Sequence, residues 1–185
     1  MLYDLCFGVL IYIGTSTVFG EPFSSGYLAV ALLFSLFPDL DFIPYVLLRK
    51  RFQLVTHRFI HYPILFGAMG LILILISPYL GVLFLLCTLA HFVHDTFSDT
   101  SVSPLGVQWL YPFSEAGIVF RGGKFLRVSK EECESLLELR RQTWQPAEKR
   151  SLWWEVTSRM ETMSFSGWVL AIITGALLFW FVAAR

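Results

Sequence analysis

The chain has 185 residues, of which 56% are hydrophobic, 17% aromatic and only 15% charged. An ordinary soluble domain carries about 25% charged residues, so this composition excludes that class and points to an integral membrane protein. Fourteen Lys and Arg balance fourteen Asp and Glu, so net charge offers no attraction for nucleic acid, and none is expected as a partner.

The apolar segments predict helices over 2–19, 24–39, 62–76, 80–97 and 166–184. The first begins with Asp4 and carries no Lys or Arg, unlike the basic start of a secretory signal, and is read as a retained helix. Gly20 and Pro22, then Pro38 and Pro44, then Pro78 and Gly81 separate the segments. Several are shorter than the about 20 residues that span a bilayer untilted, so flanking residues complete them or they lie partly inside the protein. Cys6 and Cys87 fall in apolar segments, and with Cys133 they make an odd set that forms neither a disulfide framework nor a thiolate zinc site.

Residues 99–163 differ in kind. Ile118 to Arg121 and Lys124 to Arg127, joined by Gly122 and Gly123, predict a hairpin with a glycine turn. Ser129 and Glu132 form a capping box that opens a helix running to about Gln142, and Pro146 ends it. Trp144, Trp153 and Trp154 with Lys149 and Arg150 suit either an interfacial helix or a cap packed on the bundle. The predicted fold is therefore all-α, a multi-pass transmembrane bundle of about five helices with a small cytoplasmic α/β-hairpin region. Residues 1–98 form the helical membrane core with the metal site, 99–164 the cytoplasmic or interfacial region, and 165–185 the C-terminal transmembrane helix.

Five crossings put every Lys and Arg except Arg185 on one side. Positive residues prefer the cytoplasm, which predicts the N-terminus inside and the C-terminus outside, in a prokaryotic inner membrane with its lipids as partners. The same topology collects the histidines. Asp39 and Asp41 end the second segment, His57 and His61 open the third, and His91, His94 and Asp95 close the fourth, all at the cytoplasmic face, with Asp4 joining from the first.

Imidazoles and carboxylates gathered in a greasy chain need pairing or ligation. His57 and His61, like His91 and Asp95, are spaced to share a helical face, although Pro63 places the first pair at a helix start or a bent turn. The plainer alternatives are histidines that merely hydrogen-bond neighbours and aspartates that mark the membrane boundary. His94 projects about 60° from His91 and is a residue that orients ligands or relays protons. Asp99 is a ligand, an orienting partner or a solvated loop residue. Arg58 either holds an anionic group or anchors the positive-inside face. Imidazole and carboxylate without thiolate suit Zn, Mn or Fe. The ligand count exceeds what one tetrahedral ion uses, which favours two ions that can clamp a phosphoester.

Pro38-Asp39-Leu40-Asp41, then His57-Arg58-x-x-His61, then His91-x-x-His94-Asp95, followed by Pro104-Leu-Gly106-Val and Leu110-Tyr-Pro-Phe113, resemble the YdjM-like, LexA-regulated membrane-bound metal-dependent hydrolases. The resemblance covers about residues 1 to 113. It implies metal ligation by Asp39, Asp41, His57, His61, His91 and Asp95. Asp4, four before Gly8, stands where that family often has a histidine, so a carboxylate replaces an imidazole. Phe59, Ile60 and Tyr62 are bulkier than the family's residues there, and Asp95 is separated from Pro104 by extra residues.

The expected activity is a membrane-embedded, metal-dependent hydrolase, with zinc or manganese as two ions, acting on a small-molecule or lipid phosphoester at the cytoplasmic face. Asp4, Asp39, Asp41, His57, His61, His91 and Asp95 would hold metal, with His94, Asp99 and Arg58 as catalytic groups. The alternatives are a metal-handling transporter, which the apolar helix middles disfavour, and a membrane anchor or interaction protein with a structural metal.

Overall fold

The structure, a computed structural model, describes residues 2–41, 62–97, 106–129, 131, 132, 135 and 165–184. α1 (Leu2–Phe19) and α2 (Ser25–Leu36) form an antiparallel pair. Its turn is closed by Tyr12, whose hydroxyl accepts the Ser24 N–H at 2.7 Å and donates to the Ser24 carbonyl at 3.1 Å. Ser24 in turn caps α2, its side chain accepting the Tyr27 N–H. The two helices approach closely where Gly8 faces Ala31 and Ser35, a small-residue seam that leaves no room for a side chain.

Proline then changes the course of the chain. Pro38 has no N–H to continue an α-helical ladder, and α2 tightens into a 3-10 turn over Phe37–Asp41. α3 (Pro63–Ile76) and α4 (Pro78–Phe97) each open on a proline in the first helical turn, where the missing N–H costs nothing. Pro63 thus starts its helix after the N-cap Tyr62 rather than bending it. For the same reason α4 begins two residues earlier than the apolar run predicts. Only Ser77 separates these two helices, and they pack antiparallel with Gly70 against Leu85 and Gly81 against Ile74.

The predicted hairpin is present: β1 (Gly117–Arg121) pairs antiparallel with β2 (Lys124–Val128). Gly122 and Gly123 both have positive φ, 59° and 79°, as a two-residue hairpin turn of this hand requires. The hairpin is tied to the end of α4 through Phe97, whose ring lies 4.8 Å from Phe120 and 5.7 Å from Phe125. A bridge between Val107 and Ile118 fastens the preceding segment to β1. The capping box also forms, with Glu132 N–H donating to Ser129 Oγ and Ser129 N–H donating to Glu132 Oε2. The continuation to Gln142 and the tryptophan-rich stretch lie outside the described residues.

α5 (Phe165–Ala183) lies along α1. Gly167 meets Tyr3 near the start of both helices and Phe181 meets Tyr12 further along, so the two run parallel. Successive helices therefore alternate in direction: α4 runs against α1, with Ser16 beside Tyr79 at one end and Asp4 beside His94 at the other. Tyr12, Ala31, Leu83, Cys87 and Phe181 fill the centre, and a second cluster of Phe66, Phe84, Phe92 and Val107 fills the space beneath the hairpin. α1 and α4, of 18 and 20 residues, are long and apolar enough to cross a bilayer; α2 and α3 are shorter apolar helices.

Candidate metal centre

Three helix ends meet at one pole of the bundle. Asp4 lies in the first turn of α1, Asp39 in the 3-10 turn that ends α2, and His91, His94 and Asp95 in the final turns of α4. The arrangement follows from the local sequence. Pro38 turns the chain so that Asp39 falls beside α4, and the four-residue spacing of His91 and Asp95 puts both on one face. Gly8, one turn after Asp4, lets α1 sit against α2 so that the Asp4 carboxylate reaches α4.

His91 is the hub and is 1% exposed. Its Nδ1 lies 2.9 Å from the Ser35 carbonyl, one of the last carbonyls of α2, which have no partner within the helix. A carbonyl only accepts, so Nδ1 carries a proton and donates it. Nε2 then faces carboxylates, Asp95 Oδ2 at 3.2 Å and Asp39 Oδ1 at 3.8 Å. An imidazole lone pair opposite carboxylate oxygens is repulsive, so a cation belongs between them: either a second proton on the ring or a metal ion.

Asp4, also 1% exposed, adjoins the same ring. Its Oδ1 accepts a hydrogen bond from His94 Nδ1 at 2.9 Å and lies 3.4 Å from His91 Nδ1. The His94 ring is held between aromatic neighbours, with Tyr3 at 5.3 Å and Phe7 at 6.4 Å between centroids. Asp4, Asp39 and Asp95 thus surround two imidazoles, with Asp4 buried and Asp39 and Asp95 partly exposed, and the excess of carboxylate favours a cation.

Ligand atoms of Asp4, Asp39 and His91 lie within 4.8 Å of one another, close enough to share one metal ion. Carboxylate oxygens and an imidazole nitrogen are ligand types that divalent cations accept. A histidine that donates its far N–H to a backbone carbonyl is oriented as metal-ligating histidines are. The residues present fit a divalent ion.

Of the residues predicted from sequence, the structure brings together Asp4, Asp39, His91, His94 and Asp95. Asp41 ends the 3-10 turn, and its side chain is not among those described. His57, Arg58, His61 and Asp99 lie outside the described residues. His94 contacts Asp4 directly, which makes it a partner of that carboxylate. The Ser35 carbonyl was not predicted, since a backbone group leaves no mark in the residue types; the only available signal was that α2 must end near Pro38 with open carbonyls.

No curated protein and no solved structure matches the chain. The model of the YdjM inner membrane protein family matches residues 4–184, and the chain belongs to that family.

Proposed function

With membership of an inner membrane protein family as the premise, we propose that the protein is a metal-dependent hydrolase embedded in the membrane, acting on a phosphoester where the bundle meets the cytoplasm. All five helices cross the bilayer in this reading, with the N-terminus inside, and residues 99–164 lie at or beyond the cytoplasmic surface. The observation that carries it is His91, locked through Nδ1 onto the Ser35 carbonyl and aiming Nε2 between Asp39 and Asp95. That is the posture of a metal ligand supported from behind.

Asp4, Asp39, Asp41, His57, His61, His91 and Asp95 are the residues to hold metal, enough ligands for two ions. A divalent ion in such a site supplies Lewis acidity and a water of lowered pKa, the two needs of phosphoester hydrolysis. The protein's own groups do the rest. Arg58 holds the anionic phosphate with its planar fork of donors. Asp4 fixes the orientation of the His94 ring through the 2.9 Å contact, which suits that imidazole to relay a proton. Asp99 orients a ligand or shares that relay. A lipid-like phosphoester suits this location, because headgroups lie at the same depth as the site.

The test is elemental analysis of the full chain purified in detergent, paired with turnover of a phospholipid and phosphodiester panel in nanodiscs. We expect stoichiometric zinc or manganese, lost together with turnover in His91→Ala and Asp39→Asn. Full metal retention in both variants overturns the site. Bound metal with no turnover of any phosphoester leaves a structural ion and removes the hydrolase, and metal uptake into proteoliposomes that depends on these ligands replaces it with transport.

A further inference from the structure

Where α4 meets the hairpin there is a second concave feature, on the side of α4 away from the metal centre. It is a half-open cleft of about 410 Å³ lined by Val93, Thr96, Phe97, Trp109, Ile118 and Phe125. The polar atoms of this wall satisfy each other: Trp109 Nε1 donates to Thr96 Oγ1 at 3.0 Å, and the Thr96 hydroxyl donates to the Phe92 carbonyl at 2.8 Å. What the cleft presents is therefore hydrocarbon, a poor host for water.

Its surroundings identify the occupant. Leu86, Leu89, Val93 and Phe97 are the exposed large apolar residues of α4, and their spacing puts them on one face of a helix able to span the membrane. That face runs without interruption into the cleft, and from Phe97 onto Phe125, which is 63% exposed. The strand register places Phe120 opposite Phe125 and Ile118 opposite Arg127, so Arg127 lies on the cleft face of the sheet. Arg127 is the cation of β2 on that face, whereas Lys124 falls on the other face by the same alternation. Lys124 and Arg127 are exposed, and Arg127 is steadied by Ser114 Oγ at 3.2 Å.

An apolar slot continuous with an exposed apolar stripe and edged by the Arg127 guanidinium has the chemistry to receive an anionic phospholipid: an acyl chain for the slot, a phosphate for the guanidinium. We infer that the cleft between the end of α4 and the hairpin is a docking site for an anionic phospholipid of the leaflet in which α4 ends. The hairpin then lies in the membrane interface as an anchored element. This inference rests on the chain being a membrane protein and is independent of metal or hydrolysis.

The experiment uses the full chain with Cys133→Ser and a bimane fluorophore on Phe125→Cys at the exposed rim of the cleft, with thermal unfolding matched to the parent chain as the check that losing the Phe97 contact leaves the hairpin in place. The protein is placed in nanodiscs of phosphatidylethanolamine with phosphatidylglycerol. We expect quenching by phosphatidylglycerol brominated on its acyl chains and protection from aqueous iodide. Quenching by brominated phosphatidylcholine should be weaker, and the preference for phosphatidylglycerol should fall about fivefold in Arg127→Gln and much less in Lys124→Gln, whose cation lies on the other face of the hairpin. Iodide quenching without bromolipid quenching overturns the inference by placing the hairpin in water. Protection from both quenchers overturns it by placing protein over the cleft, and equal quenching by the two brominated lipids overturns the headgroup assignment.

Discussion

Gly8→Ala tests whether the proposed metal site depends on how closely α1 and α2 approach. A Cβ built at Gly8 falls 2.9 Å from Ser35 Oγ, 3.2 Å from Ser35 Cβ and 3.2 Å from the Ala31 carbonyl oxygen, where ordinary contact begins at 3.4 Å. The hydroxyl can rotate away, but the Ser35 Cβ and the Ala31 carbonyl belong to the frame of α2, so the helices must separate by a few tenths of an ångström. Overpacking of this kind costs about 1–3 kcal/mol, offset by up to about 1 kcal/mol because alanine is the better helix former. The net expectation is a loss of about 1–2 kcal/mol. Gly14 provides the control on the same helix: nothing lies within 4 Å of its added Cβ, so Gly14→Ala keeps only the favourable propensity. The separation also moves Asp4, one turn before Gly8, and the Ser35 carbonyl that orients His91. If the proposed site holds a divalent ion, its affinity should fall on the order of tenfold in Gly8→Ala, the lower end for disturbing a group behind a ligating histidine. Thermal unfolding in detergent and calorimetric metal titration measure the two effects. If Gly8→Ala and Gly14→Ala behave alike in both assays, the close approach neither limits the packing nor positions the site.

Two further outcomes follow from the pole opposite the metal centre and from the hairpin. Ser16 and Tyr79 share a buried hydrogen bond of 2.8 Å between α1 and α4, so a double-mutant cycle of Ser16→Ala and Tyr79→Phe should show a coupling of about 1 kcal/mol in thermal stability; strictly additive losses would refute it. Gly106 has φ +63°, and a Cβ there would lie 2.6 Å from the Ile118 carbonyl oxygen that accepts the Val107 N–H. Gly106→Ala should therefore release the Val107–Ile118 bridge at a cost above about 1 kcal/mol, seen as faster amide exchange at Val107 and Ile118 with unchanged exchange in α1, and protection equal to that of the parent chain would count against the argument.

The parts of the fold that sequence made legible are those where a residue type has one local consequence. Gly122 and Gly123 between two apolar runs specify a tight hairpin, and Ser129 with Glu132 specifies a helix start; both form. The prolines were only half legible. Pro63 and Pro78 could have broken helices or opened them, and the choice depends on where the preceding backbone hydrogen bonds end, which no single residue states. The site shows the same division. His91 and Asp95 announce a shared face by their spacing, whereas the direct partnership of Asp4 with His94 arises from the antiparallel course of α1 and α4 and from the absence of a side chain at Gly8. Tertiary proximity of this kind is set by packing across the bundle, beyond the reach of local periodicity.

Asp4 and His94 are ninety residues apart in the chain. Synthesis starts at the N-terminus, so the carboxylate at the head of α1 arrives long before the imidazoles that neutralise it, and an ionisable group in an apolar segment is unfavourable until they come. The polar pole is thus a late event in biogenesis: the contacts of Asp4 with His91 and His94 can form only after α4 has been made.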